Sequence, residues 1–325
     1  MTSRISALGF ALAAGLSLAS LTPPAAAQTS NRIIVGYPPG GSLDAMARVL
    51  AERFSEGTGR NFVVENRSGA AGVIGAELLK SAPGDGTTLL LAPDSNISVY
   101  PHTVKKAAYL PLQDFVGIAH TGDYRIALAV HPSVPANDLR SFLAWTRTQP
   151  APVGYGSAGA GTNIHFYGAL LTQVSGANMI HVPYRGTGPA LLDLVAGHLP
   201  SAVLTLGGML ASAHAGKIRI LGQTGEGRSQ SLPDVPSFKE LGFPMLATSG
   251  WYGLFGPANL RPELVQRYNE LVTRAIRTPE VRERMRSFEL EPREFTPETF
   301  QVMVRADTER WGPIIRGSGF TAASD

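Results

Sequence analysis

Apolar positions along this 325-residue chain follow two rhythms that take turns. Short unbroken apolar runs, the pattern of strands buried on both faces, alternate with stretches whose apolar residues recur every three or four positions, the pattern of helices with one buried face. "RIIVGY" predicts a strand and "SLDAMARVLAERFSEG" a helix. That helix carries Leu43, Met46, Val49, Leu50 and Phe54 on one side; Ser42 is placed to cap it and Asp44 suits its first turn. "NFVVEN", "AGVIGAELLKSA" and "TTLLLA" (87–92) continue as strand, helix and strand, with the turn "PGDG" before the last. Such alternation predicts a mainly parallel sheet flanked by helices.

The pattern then starts again. "YRIALAV" (124–130), "APVGYG", "NMIHVPY", "SAVLTL", "KIRILGQT" and "GWYGLFGP" read as strands. Between them, "NDLRSFLAWTRTQ", capped by Asn137, "TNIHFYGALLTQVSG", "GPALLDLVAGH" and "GGMLASAHAG" read as helices. The end is helical: "RPELVQRYNELVTRAIRT", with Leu264, Tyr268, Leu271 and Ala275 on one face, then "PEVRERMRS" and "TPETFQVMVRADTERWGPII". No solenoid-length repeat or low-complexity linker interrupts the chain. Two similar α/β units with a helical tail is the organisation this predicts.

The first residues read differently. Arg4, an apolar stretch from Ile5 to Leu21, and Ala25 and Ala27 before an expected cut at Gln28 have the grammar of a secretory signal peptide over 1–27. Pro23 and Pro24 break the run short of a membrane span. The chain has no cysteine, so neither a lipidated cysteine anchor nor a disulfide framework is available to it. The formal charge is +3, and the only charged residue of 1–27 is Arg4, so the expected mature chain carries +2. Its Lys and Arg are scattered, which gives no nucleic-acid or membrane footprint; "RTPEVRERMRS" interleaves Glu with Arg as a solvated helix face does.

Two loops carry the candidate chemistry. In "VGYPPGGSLDAMAR" a strand ends at Tyr37, Pro38, Pro39, Gly40 and Gly41 follow, and a helix starts at Ser42. Glycines allow close backbone approach, and a helix N-terminus offers unpaired N–H groups; together they form an anion-binding device. "GYGSAGAGTNIH" (154–165) is similar, with Ser157, Thr162 and Asn163 as polar groups. Gly154, Gly156 and Gly159 fit G-x-G-x-x-G, but the acidic residue a dinucleotide ribose needs about 20 positions on is absent from "VSGANM". Neither Ser42 nor Ser157 sits in G-x-S-x-G. The seven histidines show no metal spacing, and His165 and His181 lie beside apolar residues as core histidines do. No cofactor and no metal are expected, and binding without turnover is the economical reading.

Several longer stretches carry a resemblance: "YPPGGSLDAMAR", "VVENRSGAAGVIGAELLKSAPGDGTTLLLA", "GYGSAGAGTNIHF", "HVPYRGTGPALLDLVAGH", "LPDVPSFKELGFP" and "WYGLFGP". On these the chain resembles the Bug family, the extracytoplasmic solute-binding receptors of tripartite tricarboxylate transporters. The resemblance implies a two-domain periplasmic binding protein of the type II-like, Venus-flytrap kind, closing on a small carboxylate held by backbone N–H groups of the two glycine-rich loops. Carried over, Tyr37, Gly40, Gly41 and Ser42 would serve from one domain and Ser157, Gly159 and Thr162 from the other. Tyr184 and Gly186 would line the second wall, and Asp94, Ser95 and Asn96 the first. The family often has an acid in the strand that here reads "SAVLTL", where this chain has Leu204 and Thr205; its usual Gly-Thr-Pro becomes Asn259-Leu260-Arg261-Pro262, with Asn259 or Pro262 opening the helix.

The expected domains are 28–124 plus 250–325 and 125–249, with hinges at 124–126 and 249–251. The expected partners are a carboxylate and the membrane subunits of a transporter, or a sensor, and the expected state is a periplasmic monomer. A rival from another class is a secreted α/β hydrolase acting on a small acid or ester; the sequence offers it no nucleophile–base pair. With Leu204 and Thr205 in place of an acid, Asp94 is the main candidate counter-charge for an ammonium, and α-amino acids are expected to bind less well than matched acids without the amine.

Overall fold

The computed structural model describes residues 31–320; the predicted signal peptide and its cut lie outside them. The first unit runs β1 (Asn31–Val35), α1 (Ser42–Thr58), β2 (Phe62–Asn66), α2 (Val73–Lys80), β3 (Thr88–Pro93), α3 (Pro111–Asp114) and β4 (Phe115–Tyr124). The second follows as β5 (Ile126–Val130), α4 (Leu139–Thr148), β6 (Val153–Ser157), α5 (Asn163–Ser175), β7 (Met179–Pro183), α6 (Thr187–Val195), β8 (Ser201–Thr205), α7 (Leu206–His214) and β9 (Arg219–Gln223). The chain ends with β10 (Gly250–Pro257), α8 (Pro262–Arg277), α9 (Pro279–Ser287), β11 (Leu290–Glu291) and α10 (Pro297–Gly317).

These strands build two sheets, ordered β11-β4-β10-β3-β1-β2 and β7-β6-β8-β5-β9. Both are mixed rather than mainly parallel: β10 runs antiparallel to β3 and β4, and β5 antiparallel to β8 and β9. The reason is topological. These strands arrive from the other unit instead of through a helix crossover within their own sheet, so the right-handed βαβ rule does not set their direction. One residue, Arg125, separates β4 in the first sheet from β5 in the second, and β10 brings the chain back at Gly250. β4 escapes the hydropathy pattern because "FVGIAHTGDY" has no clean alternation. Its ladder with β10, Gly250 opposite Tyr124 through Pro257 opposite Phe115, holds it instead.

Burial follows the predicted stripes. β5 is buried at every position, and α1 buries Leu43, Met46, Val49, Leu50 and Phe54. On α8, Tyr268, Leu271 and Ala275 are buried with Val265 and Val272, whereas Leu264 is only partly so. Two predicted caps differ. The residue preceding α1 is Gly41, with no side-chain cap, and Asp138, not Asn137, caps α4 in a reciprocal box with Ser141. Of the two residues expected to open α8, Pro262 does so, after Arg261. α10 reaches across to the other unit, where Trp311 packs on Phe166 and Tyr167 of α5. No described helix is long and apolar enough to cross a membrane.

Candidate functional site

Between the two sheets lies a cavity of about 310 Å3, and loops from both units close it. Tyr37, Pro38, Pro39, Gly40, Gly41, Ser42 and Leu43 form one wall. Thr162, Asn163, Ile164 and the turn from Gly186 to Pro189 form the opposite wall; Ser95, Tyr124, Thr205 and Tyr252 complete it. The halves touch around the rim. A Cβ added to Gly186 would lie 3.5 Å from Cδ of Pro38, and one added to Gly159 would lie 3.3 Å from Cβ of Ala71. Gly40 needs its glycine in another way, since its φ of +96° is a conformation other residues rarely adopt.

Of the helices that begin at this cavity, α1, α5 and α6 differ in their first amides. At α1 the N–H groups of Gly41, Ser42 and Leu43 meet no acceptor among the described residues; of this loop's backbone amides, the Asp44 carboxylate takes only that of Gly40, at 3.1 Å. Burial works to raise the Asp44 carboxyl, but its hydrogen bonds from Arg48, Asn66 and Gly40 outweigh this and hold it below its ordinary value. At α6 the N–H groups of Thr187 and Gly188 are likewise free, and Pro189 has none to offer. At α5 the amides are already used. Asn163 donates to Ser95 Oγ (3.3 Å), Ile164 to Asn163 Oδ1 (2.7 Å) and His165 to Thr162 Oγ1 (3.2 Å). Unpaired amides at a helix start carry partial positive charge, so α1 and α6 present an anion-attracting face to the cavity.

Among the described residues no Asp, Glu, His, Lys or Arg lines the cavity. The phenols of Tyr37, Tyr124 and Tyr252 stay protonated, each held well above its ordinary value, first of all by burial. Ser42 Oγ and Tyr252 OH share a hydrogen bond of 2.8 Å, and Tyr252 stacks on Tyr124 at 4.4 Å. Thr205 is 8 % exposed and lines the cavity, and its hydroxyl makes no hydrogen bond among the described residues. Apolar contacts from Leu43, Ile164, Leu191, Pro93 and Pro189 surround these polar groups. The arrangement suits an anion with an apolar body and no fixed positive charge.

Of the residues expected at the site, Tyr37, Gly40, Gly41, Ser42, Ser95, Thr162, Gly186 and Thr205 line the cavity; Asp94, Ser157, Gly159, Tyr184 and Leu204 do not. Leu204 is fully buried in the apolar layer of its sheet, because alternation along β8 turns it away from Thr205. Tyr184 turns outward to donate to Asp193 at 2.8 Å. Ser157 and Gly159 bond to each other behind the wall, and Asp94 is fully buried beneath it. Tyr124, Tyr252 and, beyond Gly186, the α6 turn at Thr187, Gly188 and Pro189 were not among the expected site residues. "RGTGP" did hold a signal: like "PPGGS", it joins glycine and proline to a helix start.

A serine–histidine pair does exist, contrary to the sequence reading. Ser157 Oγ lies 2.6 Å from His181 Nε2, and His181 stacks on His165 at 3.8 Å. The serine is fully buried and outside the cavity wall. Burial lowers His165 to about 4, and burial together with His165 lowers His181 to about 3. The pair is packed as structure behind the loop. Among the described residues no three His, Asp or Glu side chains group as a metal site.

A model of the tripartite tricarboxylate transporter family receptor matches residues 46–320, most of the chain. The chain belongs to that family. A protein of Pseudomonas sp. strain P51, known from the tcbD–tcbE intergenic region, is 32% identical over 93% of this chain and 92% of its own length. Protein BugT of Bordetella pertussis is 29% identical over 94% and 95%. The structure of Rpa4515 from R. palustris with adipate superposes with a TM-score of 0.86 at 27% identity, covering 90% of this chain and 98% of that one. Family membership makes this receptor a periplasmic solute-binding protein with the two-unit α/β fold described above.

Proposed function

We propose that this receptor captures a small carboxylate in the cavity between its two units, releases it unchanged and delivers it to the membrane subunits of a tripartite tricarboxylate transporter. One observation carries this reading: the free amides of α1 and α6 meet in a cavity that no charged side chain lines among the described residues. Such a site pairs with an anion through N–H groups and helix dipoles and leaves no counter-charge for a cation. The bound adipate of the R. palustris protein is a ligand of that chemistry. The two halves that close are 28–124 with 250–325, and 125–249, hinged at Arg125 and before Trp251. Tyr37, Gly41, Ser42 and Leu43 serve from the first half, and Thr187, Gly188 and Thr205 from the second. Residues 1–27 direct export and are then removed, and the receptor acts as a monomer without a cofactor.

The test is a thermal-shift screen of organic acids. A ligand that binds only the folded state adds RT ln(1 + [L]/Kd), roughly 2.7 kcal/mol at a hundredfold excess. Mono- and dicarboxylates should raise the midpoint, and the acid should be recovered intact. A shift by phosphate or nucleotides alone, or conversion of the acid, overturns the reading.

A further inference from the structure

Asp94 stands directly behind the cavity. Its side chain is fully buried, and three residues that do line the cavity surround it. Ser95 N–H donates to Oδ1 at 3.0 Å and Tyr124 OH to Oδ1 at 2.7 Å, while Asn163 Nδ2 lies 2.9 Å from each carboxyl oxygen. The cluster bridges the two units, since Asp94, Ser95 and Tyr124 belong with the first sheet and Asn163 opens α5 beside the second. The Asn163 amide has a fixed orientation: its Oδ1 accepts the Ile164 N–H at 2.7 Å and the Ser95 hydroxyl at 2.7 Å. Its Nδ2 can therefore reach Asp94 only while the units are together.

We propose that Asp94 is a positioning residue for ligand capture, which latches the closed arrangement through Asn163, Ser95 and Tyr124, so that affinity depends on a carboxyl group the ligand never touches. This rests on the reading of the cavity as a carboxylate site. The geometry brings a proton into the latch. Asp307 and Arg310 face Asp94 from α10, Tyr37 from the loop after β1, Tyr124 from β4, Tyr167 from α5 and Tyr252 from β10. Asp307 is itself held by Trp251 and Arg310. Burial above all, then the charge of Asp307, raises the Asp94 carboxyl to about 8, against the pull of Tyr124, Arg310 and Asn163. Opening hydrates the group and returns it toward the ordinary value of 3.8. Between those values closure takes up a proton, so affinity falls as pH rises through the window. A neutral Asp94 also spares a bound carboxylate the repulsion of a second buried anion.

The test is calorimetry with adipate, glutarate and malate as probes, from pH 6 to 8.5, in buffers of different ionisation enthalpy. Wild type should take up close to one proton per acid bound at pH 6 and a shrinking fraction above pH 8, and its affinity should fall by up to about tenfold per pH unit at the steepest part. Asp94→Ala should bind at least about tenfold less tightly at pH 6.5, by loss of the cross-unit hydrogen bonds. Asp94→Asn should keep part of the affinity and lose both the proton uptake and the pH slope. Tyr124→Phe, which removes one hydroxyl, gives a second reading should the Asp94 variants not fold, with a severalfold loss expected. Wild-type affinity in Asp94→Ala or Tyr124→Phe, or a pH slope that survives Asp94→Asn, sinks the latch while the carboxylate reading stands. So does binding by wild type with no proton uptake and no pH slope. If wild type binds none of the three acids, both readings fall.

Discussion

α1 and α5 both begin behind glycine-rich loops at the same cavity, and they use their first turns in opposite ways. α1 has no side-chain cap and leaves the N–H groups of Gly41, Ser42 and Leu43 open to the cavity. α5 consumes its own with Thr162 Oγ1, Asn163 Oδ1 and Ser95 Oγ. A helix start can hold a ligand or stabilise a fold with the same amides, but not both at once. The difference teaches that a glycine-rich turn before a helix marks a candidate site; whether the amides are free depends on side chains elsewhere, here Ser95, 68 positions from Asn163. The second open N-terminus belongs to α6, behind the less conspicuous "RGTGP".

The sharpest way to break this comparison is Gly41→Val. The residue has an ordinary φ of −85°, and an added Cβ would meet nothing within 4 Å, so the backbone tolerates the change and the new side chain enters the cavity. Two charge-assisted hydrogen bonds blocked there are worth roughly 1.5–3 kcal/mol each, so adipate affinity should drop at least about a hundredfold with unchanged circular dichroism and melting. Unaltered affinity would reduce this loop to a turn.

The next largest effect concerns ligand charge. With no acid in the cavity wall and Asp94 sealed behind it, glutamate should bind at least about tenfold less tightly than glutarate, because its ammonium loses water without gaining a partner. Calorimetry on the matched pair decides. Tighter glutamate binding would mean that the open amides are not the dominant charge in the site.

Much of this was legible in residues alone. The buried runs of β1, β3 and β5, the stripe of α1 and the loop at Pro38–Ser42 follow from local pattern, which a reader of sequence sees directly. What was not legible depends on distant partners. β4 is a strand because β10 pairs with it, and Ser42 fails to cap α1 because its hydroxyl lies on Tyr252, 210 positions away. Asp94 looked like a cavity acid because it follows a strand at the ligand end of the sheet. Its carboxyl instead turned inward, where Ser95, Tyr124 and Asn163 offer donors that an exposed loop lacks.

Thr162→Ala sharpens the contrast from the α5 side. Thr162 Oγ1 accepts the His165 N–H, an ordinary N-cap bond. Its loss should lower unfolding free energy by about 1 kcal/mol, read as a lower urea midpoint with an unchanged slope. Adipate affinity should stay within roughly threefold, since the freed amide lies one turn into the helix. A hundredfold loss of affinity with little loss of stability would instead place α5 beside α1 as a ligand helix.

Ser42→Ala should change stability least of all, although Ser42 is the residue whose type and place most suggest a cap. Its hydroxyl bonds no helix amide and shares a 2.8 Å contact with Tyr252 OH. Removing it leaves Tyr252 short of one neutral partner in the wall of a cavity of about 310 Å3, which has room for a water to replace it. Unfolding free energy should therefore shift by no more than about 0.5 kcal/mol, against roughly 1 for a true cap such as Thr162. Affinity should fall severalfold, through the freed rotation of Tyr252 beside the ligand and not through the α1 amides, which the substitution leaves in place. A loss near 1 kcal/mol would show that Ser42 caps α1 in solution, which closes one of the amides counted here as open and makes α1 and α5 alike.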